Sequence, residues 1–141
     1  MWLIMKIIEN VFWVYYIGNP SKFVKDKVGK WMYFFKEGDR TFIEKVCREV
    51  VEKEIVSVAK HSNKESGVAC FYLNIDDIEG HKKVIKYFLE NNMIRKTKKG
   101  KYYNNSFKLD IQTIKGQYGD DFIPELTLDK FINLDTGDWI I

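Results

Sequence analysis

The chain has 141 residues, of which 45% are hydrophobic and 16% aromatic, enough apolar material for one domain with its own core and unlike a disordered chain. The net charge of +3 is modest, so charge informs locally rather than globally. Lysine outnumbers arginine twenty to three, which argues against a dedicated sequence-specific DNA reader, since arginine makes the bidentate phosphate and base contacts.

In chain order, Met1-Trp2-Leu3-Ile4-Met5 is apolar, but Lys6, Glu9 and Asn10 interrupt it. It has no basic n-region, long apolar run or small-residue cleavage site. No stretch approaches the length of a bilayer span. A soluble, cytoplasmic protein without a membrane partner is expected, with Met1 or Met5 as its start. Residues 11–18, Val-Phe-Trp-Val-Tyr-Tyr-Ile-Gly, read as a strand. Gly18-Asn19-Pro20-Ser21 is turn chemistry. Lys30 to Phe35 reads as a second strand. Thr41-Phe42-Ile43-Glu44 is a capping-box pattern opening a helix over about 41–54. Its apolar face is Phe42, Ile43, Val46, Cys47, Val50 and Val51.

Ile55 to Lys60 reads as a strand, His61 to Gly67 as a loop, and Val68 to Asn74 as a near-continuous apolar central strand. Asp76 or Asp77 caps a second helix that ends at Asn91-Asn92, with Ile78, Val84, Ile85, Phe88 and Leu89 facing inward. Residues 93–96 and 101–103 flank Thr97-Lys98-Lys99-Gly100, a hairpin loop. A short helix is expected near 127–133. Cys47 and Cys70 fall on apolar positions and read as buried free thiols, as in a reducing compartment. The element order β-β-α-β-β-α-β-β describes a single α+β domain over 1–141, with two main helices covering one face of a mostly antiparallel sheet.

Residues 82–119 carry a local balance of +8, and residues 120–141 one of −5. At the end of the basic stretch lies the most informative segment, Ser106 to Gly119. Lys108, Asp110, Gln112, Thr113 and Tyr118 are side chains that hold ligands. Phe107, Leu109 and Ile111 alternate with the first of them, as on one strand face. A salt-bridged Lys108–Asp110 clasp, with Gly116 and Gly119 shaping a turn, is the structural alternative.

Elsewhere, Lys60-His61 offers a base and an acid, or is simply a strand end entering a polar loop. His81 reads as a solvated helix residue, and Trp13 and Trp31 as core. Two histidines and no cysteine pair with ligand spacing make a metal site improbable, and no cofactor is implied. Arg95, Lys96, Lys98, Lys99 and Lys101 beside Tyr102 and Tyr103 combine charge with stacking surfaces. That suits single-stranded nucleic acid or an acidic protein face, although a lysine-rich solvated hairpin tip is the simpler reading.

Gly29-Lys30-Trp31-Met32, Val58-Ala59-Lys60, Ala69-Cys70-Phe71-Tyr72 and Phe107-Lys108-Leu109-Asp110-Ile111-Gln112-Thr113 with Gly116 and Tyr118 together resemble the Bles03 family of uncharacterised proteins. The resemblance covers about residues 11–119. It implies a fold like the cap-binding translation initiation factor, a curved antiparallel sheet backed by helices. Cap binding itself is not expected, because a cap-type sandwich draws its tryptophans from loops. A second resemblance, to bacterial phosphothreonine lyases, matches Lys60 and Tyr72 to the family's Lys and Tyr. Where those enzymes carry their acid in a Lys-Phe-His strand, this chain has Lys30-Trp31-Met32, and Met32 cannot donate a proton.

The favoured expectation is a non-catalytic domain binding an anionic ligand, a nucleotide or a phosphorylated group, through Lys30, Lys60, Tyr72, Lys108, Gln112 and Thr113. The rival is a lyase-like enzyme with Lys60 as base and His61 or Tyr72 assisting. A third is a small accessory or phage-type inhibitor that occupies the surface of a protein partner. Geometry discriminates: an anion site needs Lys60 and Lys108 on one face.

Overall fold

The two longest apolar runs pair with each other. β3 (Val28–Phe35) and β5 (Gly67–Asn74) form an antiparallel ladder along their full length, from Val28 opposite Asn74 to Phe35 opposite Gly67. The computed structural model describes residues 5–116 and 122–141. Around this ladder it places β1 (Lys6–Glu9), β2 (Trp13–Ile17), β4 (Val58–Ser62), β6 (Ser106–Leu109) and β7 (Leu126–Thr127), in the order β1-β2-β4-β5-β3-β6-β7. Every pairing between these strands is antiparallel. The chain is thus an α+β domain. Tyr118 and Gly119, and the Met1 start, lie outside the described residues.

Period two sorts each strand onto two faces. Trp31, Phe35, Ala59, Ala69, Phe71, Leu73, Val14, Tyr16 and Phe107 form the core face. Against it pack α1 (Arg40–Glu52) through Ile43, Val46, Cys47, Val50 and Val51, and α2 (Ile78–Glu90) through Val84, Ile85 and Phe88. The other face carries no long helix among the described residues. It is partly covered by α3 (Asp110–Ile114), whose Asp110 and Thr113 both take hydrogen bonds from Lys30. Among the described residues no helix is long and apolar enough to cross a membrane.

Several local expectations change. The Thr41 capping box is not made: α1 starts at Arg40, the Asp39 carboxylate accepts from the Lys36 amide, and Glu44 turns toward Arg40. The strand expected at 55–60 begins at Val58, because the Ile55 and Val56 amides still bond back to Val50 O after Glu54 turns the chain at φ 57°. It then continues through His61, expected in a loop. In α2, Asp77 is the cap, and its carboxylate accepts from the Gly80 amide at 3.0 Å. Gly80 permits this, since a Cβ there would stand 2.3 Å from Asp77 Oδ2. Ile78 is exposed rather than inward. The hairpin expected at 93–103 forms with short arms: Lys96 bridges Tyr102, the Thr97 amide donates to Lys101 O and the Tyr103 amide to Arg95 O, and the Gly100 amide closes the 97–100 turn onto Thr97 O. The helix near 127–133 is a single 3-10 turn, Leu128–Lys130.

Both histidines are fully buried on the core side. Trp31 Nε1 donates to His81 Nδ1 at 2.9 Å, and His81 Nε2 donates to Ile75 O at 2.8 Å. His61 Nδ1 donates to Ser62 O at 2.9 Å, and Tyr16 Oη donates to His61 Nε2 at 3.0 Å. Each ring is therefore a fixed neutral tautomer with both nitrogens satisfied. His81 is a core residue, not a solvated one. Burial holds both histidines below the usual imidazole range, and pushes the Tyr16 phenol up to about 12.

Candidate functional site

Register decides which charged side chains meet. On the face opposite α1 and α2, one row across the sheet reads Ile17, Val58, Tyr72, Lys30, Lys108. The next reads Ile8, Tyr15, Lys60, Cys70, Met32. Lys30, Lys60 and Lys108, predicted ligand residues from three separate strands, thus share one face. The β3–β6 contact that sets Lys108 beside Lys30 depends on Gly29. A Cβ at Gly29 would lie 2.6 Å from both Lys108 O and Phe107 Cε2.

The three lysines have different surroundings. Lys30, almost fully buried, donates to Asp110 Oδ1 at 2.9 Å and Thr113 Oγ1 at 3.0 Å. The expected Lys108–Asp110 clasp is replaced by this longer-range one, because Asp110 opens α3 instead of continuing the strand. There its carboxylate sits favourably at the positive end of the backbone dipoles. Lys108 is also nearly buried, with Nζ 5.3 Å from the centre of the Phe122 ring. Lys60 is half-buried, and its Nζ lies 3.7 Å from the Trp13 ring centre, 5.6 Å from Tyr15 and 5.9 Å from Tyr72. The Lys30 ammonium is also 5.9 Å from Tyr72. Among the described residues no carboxylate comes within salt-bridge range of Lys60.

Burial, with the nearby Lys30 charge, lowers the amine pKa of both Lys60 and Lys108. The faces of Trp13, Tyr15 and Tyr72 work the other way and favour the ammonium form, by about 0.5–2 kcal/mol. Lys60 is therefore best described as a cation kept partly out of water on an aromatic bed. Burial pushes the Tyr72 phenol far above its ordinary range, so it remains a hydrogen-bond donor. An anion entering this face would relieve the repulsion between cations and replace water lost to burial.

Other predicted site residues stand partly beside this face and partly away from it. Gln112 is a structural clamp: its Oε1 accepts from the Leu109 amide at 3.1 Å and its Nε2 donates to Ile123 O at 3.0 Å. Thr113 is already engaged by Lys30. Lys60 and His61 adjoin in sequence but stand on opposite faces of the sheet, so His61 does not share the Lys60 site. Arg95, Lys96, Lys98, Lys99 and Lys101 are all exposed. Lys96 lies 5.0 Å from the Tyr102 ring centre, and Lys101 pairs with Asp135 at 3.4 Å, where the basic and acidic stretches meet. Among the described residues no group of three or more His, Cys, Asp or Glu is arranged to hold a metal.

Trp13 and Tyr15 were not predicted as site residues. In Trp13-Val14-Tyr15-Tyr16-Ile17 both phases of the strand are apolar, so alternation alone does not say which faces the core. The core takes Val14 and Tyr16; Trp31, by contrast, is core as expected.

The Lys30–Asp110 pair yields a stability prediction. Asp110→Ala leaves the Lys30 ammonium with Thr113 alone. The cost is about 1–3 kcal/mol, less than for a fully buried pair because Asp110 keeps a third of its side chain in water. Chemical denaturation of the variant against wild type measures it. Comparison with protein-family models and with curated proteins returned no match to this sequence.

Proposed function

We propose that the chain is a binding domain for an anionic ligand, a nucleotide or another phosphorylated group. It is held on the face of the sheet opposite α1 and α2, with Lys60 as the main contact and Lys30 and Lys108 supplying charge behind it. One observation carries the proposal: three lysines from separate strands converge on one face, with Lys60 lying on Trp13, Tyr15 and Tyr72 rather than on a carboxylate. The aromatic bed favours a nucleotide, because a base can stack on the rings where the Lys60 ammonium now rests. The likeness to the Bles03 family extends this proposal to a curved, cap-binding-factor-like sheet.

Binding is preferred to lyase chemistry. Proton abstraction by Lys60 needs a partnered acid; of the two residues expected to assist it, His61 is on the other face and Tyr72 shares the Lys60 face. A phenol whose pKa is raised this far is a weak acid for protonating a leaving group.

Thermal shift with a panel of nucleotides, cyclic nucleotides and phosphopeptides tests the proposal. A ligand at 100 times its Kd adds about 2.7 kcal/mol of stability. Lys60→Met keeps an apolar stem against Trp13. It is expected to retain the fold and to weaken binding by about tenfold or more. A flat panel, or equal shifts in wild type and Lys60→Met, contradicts the proposal. Release of phosphate from a phosphothreonine peptide would favour the enzyme reading.

A further inference from the structure

β6 covers only the first part of β3. Its register with β3 is Lys108 opposite Lys30 and Leu109 opposite Gly29. β6 begins at Ser106, and the β3 edge from Tyr33 onward meets no strand on that side among the described residues. A cavity of about 360 Å³ lies in this notch. Its walls are Met32, Phe34, Met93 and Phe122; Met93 is buried at the base, and Phe34 is exposed at the rim. Arg95, Asn105 and Ser106 bring polar groups to the same space.

These features match the physical definition of a small-molecule site: a concave, largely apolar volume with a few convergent polar groups that fix orientation. Two methionines and two phenylalanines suit a flat ring, since thioether sulfur and aromatic edges both pack well against a π face. Arg95 sets the sign of the polar end. Among the described residues no carboxylate comes within salt-bridge range of its guanidinium. Its charge reaches Tyr33, which also lines the cavity, and opposes the rise of that phenol's pKa caused by burial. A guanidinium forks onto a carboxylate or phosphate, and Ser106 and Asn105 can donate to the remaining oxygens.

We propose that the notch at the free edge of β3 is a binding site for a small planar anion, an aryl phosphate or aryl carboxylate. The ring lies between Met32, Phe34, Met93 and Phe122, and the anionic group is held by Arg95. This site adjoins the lysine face at Phe122, whose ring lies against Lys108, but does not require Lys60.

Calorimetric titration of the full chain with 1-naphthyl phosphate tests the site. Saturable binding is expected, with one site per chain that survives Lys60→Met; a second, Lys60-dependent site would belong to the lysine face. Arg95→Met, an exposed substitution that spares the core, should weaken it by about tenfold or more, and Phe34→Ala at the rim by a similar factor. Lys60→Met should leave it within about twofold. No saturable binding in wild type overturns the proposal. So does equal affinity in wild type and Arg95→Met. Loss of binding in Lys60→Met with Arg95→Met unaffected also overturns it, by placing the aryl phosphate on the lysine face.

Discussion

Trp31→Ala is expected to be among the most damaging single substitutions in this chain. Trp31 is 1% exposed, and its ring meets His81, Phe107 and Phe131 edge-on, with centres 5.6–6.4 Å apart. Truncating a buried tryptophan costs roughly 3–5 kcal/mol. It also strips His81 Nδ1 of its donor, and a buried acceptor left unpaired costs about 1–3 kcal/mol more. Against a typical domain stability of about 5–15 kcal/mol, the sum reaches the threshold of unfolding. Trp31→Phe narrows the comparison, since it keeps a six-membered aromatic ring while losing the N–H and the fused five-membered ring. Urea unfolding should rank wild type, Trp31→Phe and Trp31→Ala in falling order. Equal stability of Trp31→Phe and wild type would mean the indole–imidazole bond contributes nothing.

The two buried histidines predict acid sensitivity well above the carboxylate range. Both are neutral when folded. Burial depresses their pKa values more strongly than the Ser62 and Ile75 carbonyls raise them. Arg40 depresses His61 further, while Glu44 and Glu9 oppose it; Asp77 and Asp76 oppose the shift at His81. In the unfolded chain each imidazole titrates near about 6.5. Above that pH neither state binds the protons, and the full stability is present. Below it the unfolded chain takes up protons that the folded chain refuses until its own lower pKa is reached. Stability therefore falls as pH falls, by about 1.4 kcal/mol per unit for each histidine. The decline begins near the unfolded imidazole value and continues down to the lower folded values. Denaturation midpoints from about pH 7.5 to pH 5 measure the slope, and His81→Asn should reduce it. A flat profile would show that the imidazoles already take protons in the folded state.

Short-range features were legible from residues alone. The apolar faces of α1 and α2, the central position of β5 and the burial of both cysteines follow from periodicity and composition. What failed depended on distant partners. His81 looks wet between Gly80 and Lys82, yet it is core because the Trp31 indole, 50 positions earlier, meets its ring. His61 is held by Tyr16, 45 positions away. The alternation through Ile111 suggested a strand, but Gln112 reaches back to the Leu109 amide and turns the chain into α3. That switch gives Asp110 to Lys30 instead of Lys108. β1 was not foreseen because all four of its residues are exposed, so neither phase marks a buried face. The candidate lysines were visible one by one, whereas their shared face is a property of register between strands.

Lys60, Lys30 and Lys108 are proposed to form one anion-binding face. Lysine side-chain NMR during titration with inorganic pyrophosphate tests it most directly. Saturable shifts concentrated on Lys60 and Lys108, with Lys96, Lys98, Lys99 and Lys101 nearly unmoved, are the predicted result. Uniform shifts over all the lysines, or shifts confined to the exposed 95–101 segment, would contradict it.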